Sequence, residues 1–281
     1  MKFFNLDSPL MRFLSRMTDI LWLNILTLVM CIPAVFIAVG IFGVMSADGN
    51  YTVAGIPILF FLIFLVASIP AGAGFTALHF VCLKLVRGEE GYITRDYFRS
   101  FKENFLQATV IWLLFEAGTY LLAWDFHLVL FSNSFKGTFH TIMIAGLTLA
   151  SLMFLFTFVF TFPVLSHFKN TIKRTLKNSF LMSILVLPKT IIMVLLLAIP
   201  PVAALGVPQI LPLAILFFFG APAYFSAMLY NKTFKRFEPE TEQPVGDYEW
   251  TVQPLEEGET DASSEEPEKI EEEDKKSEPD T

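Results

Sequence analysis

Six apolar stretches, each about as long as a bilayer is thick, run through the first 236 residues: Thr18–Phe42, Ile56–Phe80, Phe105–Ala123, Phe139–Leu165, Thr190–Val207 and Leu211–Tyr230. A helix needs about 20 apolar residues to cross the hydrocarbon core. In lipid every backbone polar group must be satisfied within the segment, so such stretches fold as helices. The fourth stretch tests that rule, because Phe154, Phe156, Phe158, Phe160 and Phe162 alternate as in a strand. The apolar run around them is far longer than a strand, so a helix is expected. Their side chains should then scatter around its axis, towards both protein and lipid, and form no single aromatic wall.

Charge sorts the connections. Lys2, Arg12 and Arg16 precede the first stretch, and connection 46–55 has no Lys or Arg. Connection 81–104 carries Lys84, Arg87, Arg95, Arg99 and Lys102, and connection 124–138 only Lys136. Connection 166–189 carries Lys169, Lys173, Arg174, Lys177 and Lys189, and Lys232, Lys235 and Arg236 follow the last stretch. With the basic connections inside, 19 of the 20 Lys/Arg lie in the cytoplasm, together with both termini. The reading is an all-α polytopic transmembrane bundle of about six spans in a bacterial cytoplasmic membrane. Residues 1–17 form an interfacial amphipathic helix, through Phe3, Phe4, Leu6, Leu10, Phe13, Leu14 and Met17. Residues 18–236 form the bundle, with basic cytoplasmic loops 81–104 and 166–189.

The net charge of −7 hides two opposite parts. Residues 237–281 hold 18 Asp/Glu against 3 Lys/Arg, and residues 1–236 hold 17 Lys/Arg against 9 Asp/Glu. The acidic tail has too few apolar residues to offset chain entropy and reads as disordered, with Asp247-Tyr248-Glu249-Trp250 its only aromatic spot. The apolar run Ile20–Phe42 exceeds the roughly 7–15 residues of a signal-peptide core, so no cleaved leader is read. Prolines 200, 201 and 222 are expected to kink the last two spans. Cys31 and Cys82 read as small buried hydrophobes.

The two basic loops echo each other. Arg99-Ser-Phe-Lys102-Glu-Asn-Phe105-Leu106-Gln-Ala108 and Arg174-Thr-Leu-Lys177-Asn-Ser-Phe180-Leu181-Met-Ser183 agree at four of ten positions. Each reads as a basic amphipathic helix entering a span. Arg87, Arg95, Arg99, Lys102, Lys173, Arg174 and Lys177 are therefore candidates for contact with anionic lipid, where each charge contributes about 1 kcal/mol, or for docking a cytoplasmic protein. Glu89, Glu90 and Asp96 are expected to pair with Arg87, Arg95 and Arg99.

Glu116 stands alone inside the third span. A charged carboxylate at that depth costs about 2.5–3.5 kcal/mol or more. It must be protonated, paired or turned to a polar interior, bonded to Ser, Thr or Tyr of a neighbouring helix or placed on a proton or substrate pathway. Asn24, in the first span, is a candidate partner and a candidate interhelical tie. The sequence holds no GxxxxGK[ST], HExxH or GxSxG motif, and His79, His127, His140 and His167 are dispersed near span ends. No metal site, cofactor, nucleic-acid contact or acid–base cluster is read from it.

The run Leu83–Tyr92, with Arg87, Gly88 and Glu89, followed by Tyr97-Phe98-Arg99-Ser-Phe101-Lys102-Glu-Asn104-Phe105, resembles the YesL family of bacterial membrane proteins. The entry Ile69-Pro70-Ala-Gly-Ala-Gly-Phe-Thr76 and the step Lys177–Phe180 resemble it as well; the acidic tail lies outside the pattern. The resemblance implies a domain of unknown function, encoded near carbohydrate uptake and polysaccharide degradation. It thus implies a non-enzymatic accessory role in oligosaccharide uptake, with components of sugar ABC transporters as partners. A transporter in its own right with Glu116 in its path, an ABC permease subunit and a membrane enzyme remain as alternatives. Against the permease, connection 166–189 lacks the Glu-Ala-Ala…Gly core of such loops.

Overall fold

A computed structural model describes residues 9–47, 58–89, 91–131, 136–206, 209 and 211–238. Among these residues the elements are nine α-helices: α1 (Pro9–Ala47), α2 (Ile58–Ala67), α3 (Ile69–Arg87), α4 (Ile93–Phe131), α5 (Thr138–His167), α6 (Ile172–Leu185), α7 (Leu187–Gly206), α8 (Leu211–Phe217) and α9 (Gly220–Phe234). Five helical segments are long and apolar enough to cross a membrane, and a sixth if the bent pair α6–α7 counts as one. The protein is an all-α membrane protein. The acidic residues from 239 onward, and the apolar positions 3, 4 and 6, lie outside the described residues.

Four expectations change in detail. The described part of the interfacial helix is no separate element, because α1 runs unbroken from Pro9 into the first span. The second stretch is two helices, α2 and α3, divided at Ser68. Pro70 stands at the start of α3, where its missing N–H strands no intrahelical bond. The last stretch divides at Phe218-Phe219, which puts Pro222 in the first turn of α9, where it need not kink the helix. The five alternating phenylalanines do lie on a helix, α5, but none is fully exposed. Phe154, Phe158 and Phe162, spaced four apart on one face, pack against Trp112 and Phe115 of α4.

At the centre stands α3, against α1, α4, α5 and α9. Its buried Ala71, Gly72, Ala73, Gly74 and Ala77 let neighbouring backbones approach closely, as small residues do between membrane helices. A Cβ on Gly72 would fall 2.6 Å from the Cβ of Trp112. One core cluster gathers Leu23, Leu78, Tyr97, Phe160, Tyr230 and Phe234; a second joins α4 and α5 through Ala108, Ile111, Phe115, Phe162 and Leu165. Outward, Phe36, Val39, Leu106 and Ile142 are well exposed, which suits a surface that meets lipid tails.

Candidate functional site

Two regions carry the polar groups that a helical bundle in lipid does not need for folding alone: a cleft at Glu116 and the basic end of the bundle.

The cleft begins with the break at Ser68. Proline at 70 has no N–H to continue the helix of α2, so local carbonyls need other donors. The buried Ser68 hydroxyl lies 2.9 Å from the Leu65 carbonyl and donates at 2.6 Å to Oε2 of Glu116, halfway along α4. Glu116 also lines a cavity of about 540 Å³, within the roughly 300–1,000 Å³ usual for ligand pockets. Phe42 and Met45 of α1, Phe61 and Phe64 of α2, Trp112, Phe115, Glu116, Thr119, Tyr120 and Ala123 of α4, and Phe158 of α5 are among the residues that line it. Its walls are aromatic: Phe61 stacks on Tyr120 with centroids 4.1 Å apart, and Phe115 meets Phe158 edge-on at 5.2 Å. The buried indole N–H of Trp112, on the same wall, completes no hydrogen bond.

Asn24 is not the partner of Glu116. Its carbonyl oxygen accepts the N–H groups of Phe219 (2.8 Å) and Gly220 (3.1 Å), and its amide donates to the Ile215 carbonyl at 2.9 Å. It thereby replaces the backbone bonds lost at the break between α8 and α9. Gly220 is required there, since a Cβ would fall 2.6 Å from the Ile20 carbonyl oxygen.

The basic end gathers the C-termini of α3, α5 and α9 with the N-termini of α4 and α6. Trp22 of α1 donates to Thr94 at 2.8 Å, which sets the N-terminal turns of α1 at the same end. Gly88 closes α3 in the left-handed conformation, φ 72°, with its N–H on the Leu85 carbonyl. That position explains the glycine of the Arg87-Gly88-Glu89 motif by backbone geometry. The expected ion pairs are partly wrong. Asp96 does pair with Arg99 (3.0 Å), but its shorter contact is with Lys84 (2.6 Å). Arg87 turns away from the loop carboxylates, donates to Asn231 at 3.0 Å and pairs with Glu238. His167, at the end of α5, meets the same Glu238 oxygen at 2.7 Å. Glu89 is exposed, and Glu90 lies outside the described residues. Partial burial pushes the Glu238 carboxyl up, but hydrogen bonds and charge from Arg87 and His167 outweigh it and hold the group below the usual carboxylate range.

The candidate contact cations other than Arg87 face outward. Arg95, Arg99, Lys102, Lys173, Arg174 and Lys177 are all exposed, and Lys136 is the one described Lys or Arg at the opposite end. Of the other motif residues, Phe98 is exposed, Asn104 donates to the Ser100 carbonyl at 3.0 Å, and Phe101 and Phe105 share an apolar cluster with Ile172 and Leu176 of α6. Both basic helices thus pack on one core, α6 chiefly through α5. No group of three His, Cys, Asp or Glu among the described residues is arranged to hold a metal ion.

Sequence reasoning missed three of these residues. Ser68 was signalled only by a hydroxyl two positions before a proline inside an apolar run. Glu238 and His167 carried no local signal, since their meeting with Arg87 depends on how three helix ends converge.

Residues 17–126 match the family described as "Protein of unknown function, DUF624". The match spans α1 to α4 and so contains Ser68, Glu116 and the Arg87–Phe105 segment. No curated protein and no solved structure matches the chain.

Proposed function

We propose that the chain is a non-enzymatic accessory protein of the bacterial cytoplasmic membrane, with both termini inside, and that its basic end docks a cytoplasmic partner. The observation that carries this reading is the turn between α6 and α7, bent by 104°. With α7 crossing the bilayer, that bend lays α6 along the membrane surface with Lys173, Arg174 and Lys177 outward. That both helices pack on one apolar core supports reading these charges together with the exposed Arg99 and Lys102. The partner class, sugar ABC-transporter permease or ATPase subunits, rests on the resemblance of Arg87–Phe105 to the YesL family. Such an assignment is by association and not by mechanism.

A crosslinked, mild-detergent pull-down from the native membrane tests both parts. Wild type should recover sugar-transporter subunits in stoichiometric amount, and reversing the charges of Arg99, Lys102, Arg174 and Lys177 should lose them at unchanged expression. Recovery of the chain alone, or retained binding by the reversed protein, would overturn the reading.

A second reading, transport with Glu116 in the path, is supported by the cleft itself. It predicts that Glu116→Gln abolishes uptake while the protein remains inserted; normal uptake rejects it.

A further inference from the structure

Docking at the basic end leaves the Glu116 cleft without a use, although it joins a hydrogen-bonded carboxylate to an aromatic wall inside the bundle. We propose that it binds a lipophilic organic cation, a hydrophobic amine or a quaternary onium ion, supplied from the lipid phase.

Three observations meet at this ligand class. One is the carboxylate. Ser68 engages one oxygen of Glu116 at 2.6 Å, and among the described residues that line the cavity none is Lys, Arg or His. The protein thus supplies a hydrogen bond to this acid but no described counter-ion from the cavity wall. Inside a low-dielectric cleft a cation is attracted far more strongly than in water, and a bound cation would let the carboxylate carry its charge at a depth where bare charge is expensive. The second is the wall: Phe61, Phe64, Trp112, Phe115, Tyr120 and Phe158 surround the acid. Aromatic faces carry the negative end of the ring quadrupole and attract cations, tryptophan most of all. The third is size, since about 540 Å³ accommodates a multi-ring or long-chain molecule and not merely an inorganic ion. An anion would meet repulsion from Glu116, and a neutral molecule of the same shape would gain only the apolar contacts.

Binding is independent of passage: the claim holds whether or not the ligand crosses the membrane, and uptake assays test only the transport reading. The experiment is equilibrium binding of radiolabelled tetraphenylphosphonium to the full-length protein in phosphatidylcholine nanodiscs, with neutral triphenylphosphine oxide as competitor. Wild type should bind the cation saturably, and the neutral compound should compete poorly. Glu116→Gln should weaken binding about thirtyfold or more, as expected when one partner of a desolvated charge pair is removed, while Glu116→Asp should keep the larger part of the affinity. If Glu116→Gln does not yield monodisperse protein, Ala123→Lys, which adds a fixed cation on the same cavity wall, should abolish binding instead. No saturable binding by wild type, unchanged affinity in either Glu116→Gln or Ala123→Lys, or equal displacement by the neutral compound would overturn the proposal.

Discussion

The segments 99–108 and 174–183 begin alike and end differently. In both, the cations are exposed: Arg99 and Lys102 in one, Arg174 and Lys177 in the other. In both, small residues four apart face inward. Ser100 and Ala108 are buried with Asn104 partly so, and Thr175, Ser179 and Ser183 are fully buried. Past that point they part. The first continues straight through the 39 residues of α4, whereas the second stops at Leu185 and turns by 104° into α7. In the shared alignment Leu113 stands where the other segment has Pro188. A proline inside a helix removes the bond to the carbonyl four residues back and clashes with it. At the same break the buried Thr190 hydroxyl donates to the Ser183 carbonyl at 2.7 Å. Amphipathic pattern thus chose which face is buried in both segments, and the two part where one carries Leu113 and the other Pro188.

The largest expected effect comes from exchanging that residue. Leu113→Pro should break α4 beside the Glu116 cleft at about 3 kcal/mol or more, read as loss of monodisperse protein after detergent extraction. Wild-type yield would mean that α4 tolerates the bend that α6–α7 adopts. The converse, Pro188→Leu, is milder and geometric. Spin labels at positions 173 and 199 should sit about 24 Å apart across the bend and move towards the roughly 39 Å of a continuous helix at 1.5 Å per residue. An unchanged distance would assign the bend to Thr190 and packing, and not to the proline.

The break between α8 and α9 sharpens the same point, because it is closed from another helix and not from within. Asn24→Leu strands the N–H groups of Phe219 and Gly220, and should destabilise the protein by about 1–3 kcal/mol, after neighbouring groups relax, in thermal unfolding in detergent. The smallest effect belongs to Glu238. Glu238→Gln removes a partly exposed ion pair and should lower stability by less than about 1 kcal/mol. Since the folded carboxyl titrates below its ordinary value, the contribution of the ion pair is complete above about pH 4.3 and fades as pH falls through the lowered value. The wild-type advantage over Glu238→Gln in thermal unfolding should therefore vanish towards acid; an advantage that persisted there would show that it does not come from the pairing with Arg87 and His167.

The sequence alone determined the helical class, the concentration of basic residues at one end and the isolation of Glu116. Each follows from local quantities: apolar run length, the positions of Lys and Arg, and the cost of charge in lipid. It also held the echo between the two basic loops, but not their different paths, since the effect of Pro188 depends on whether a partner such as Thr190 can close the bend. Only the tertiary structure decided that Glu116 meets Ser68, that Asn24 serves the α8–α9 break, and that Arg87 and His167 converge on Glu238. The reason is physical: helical periodicity tells which residues share a face, whereas which faces meet is set by the close approach that small residues such as those of α3 permit.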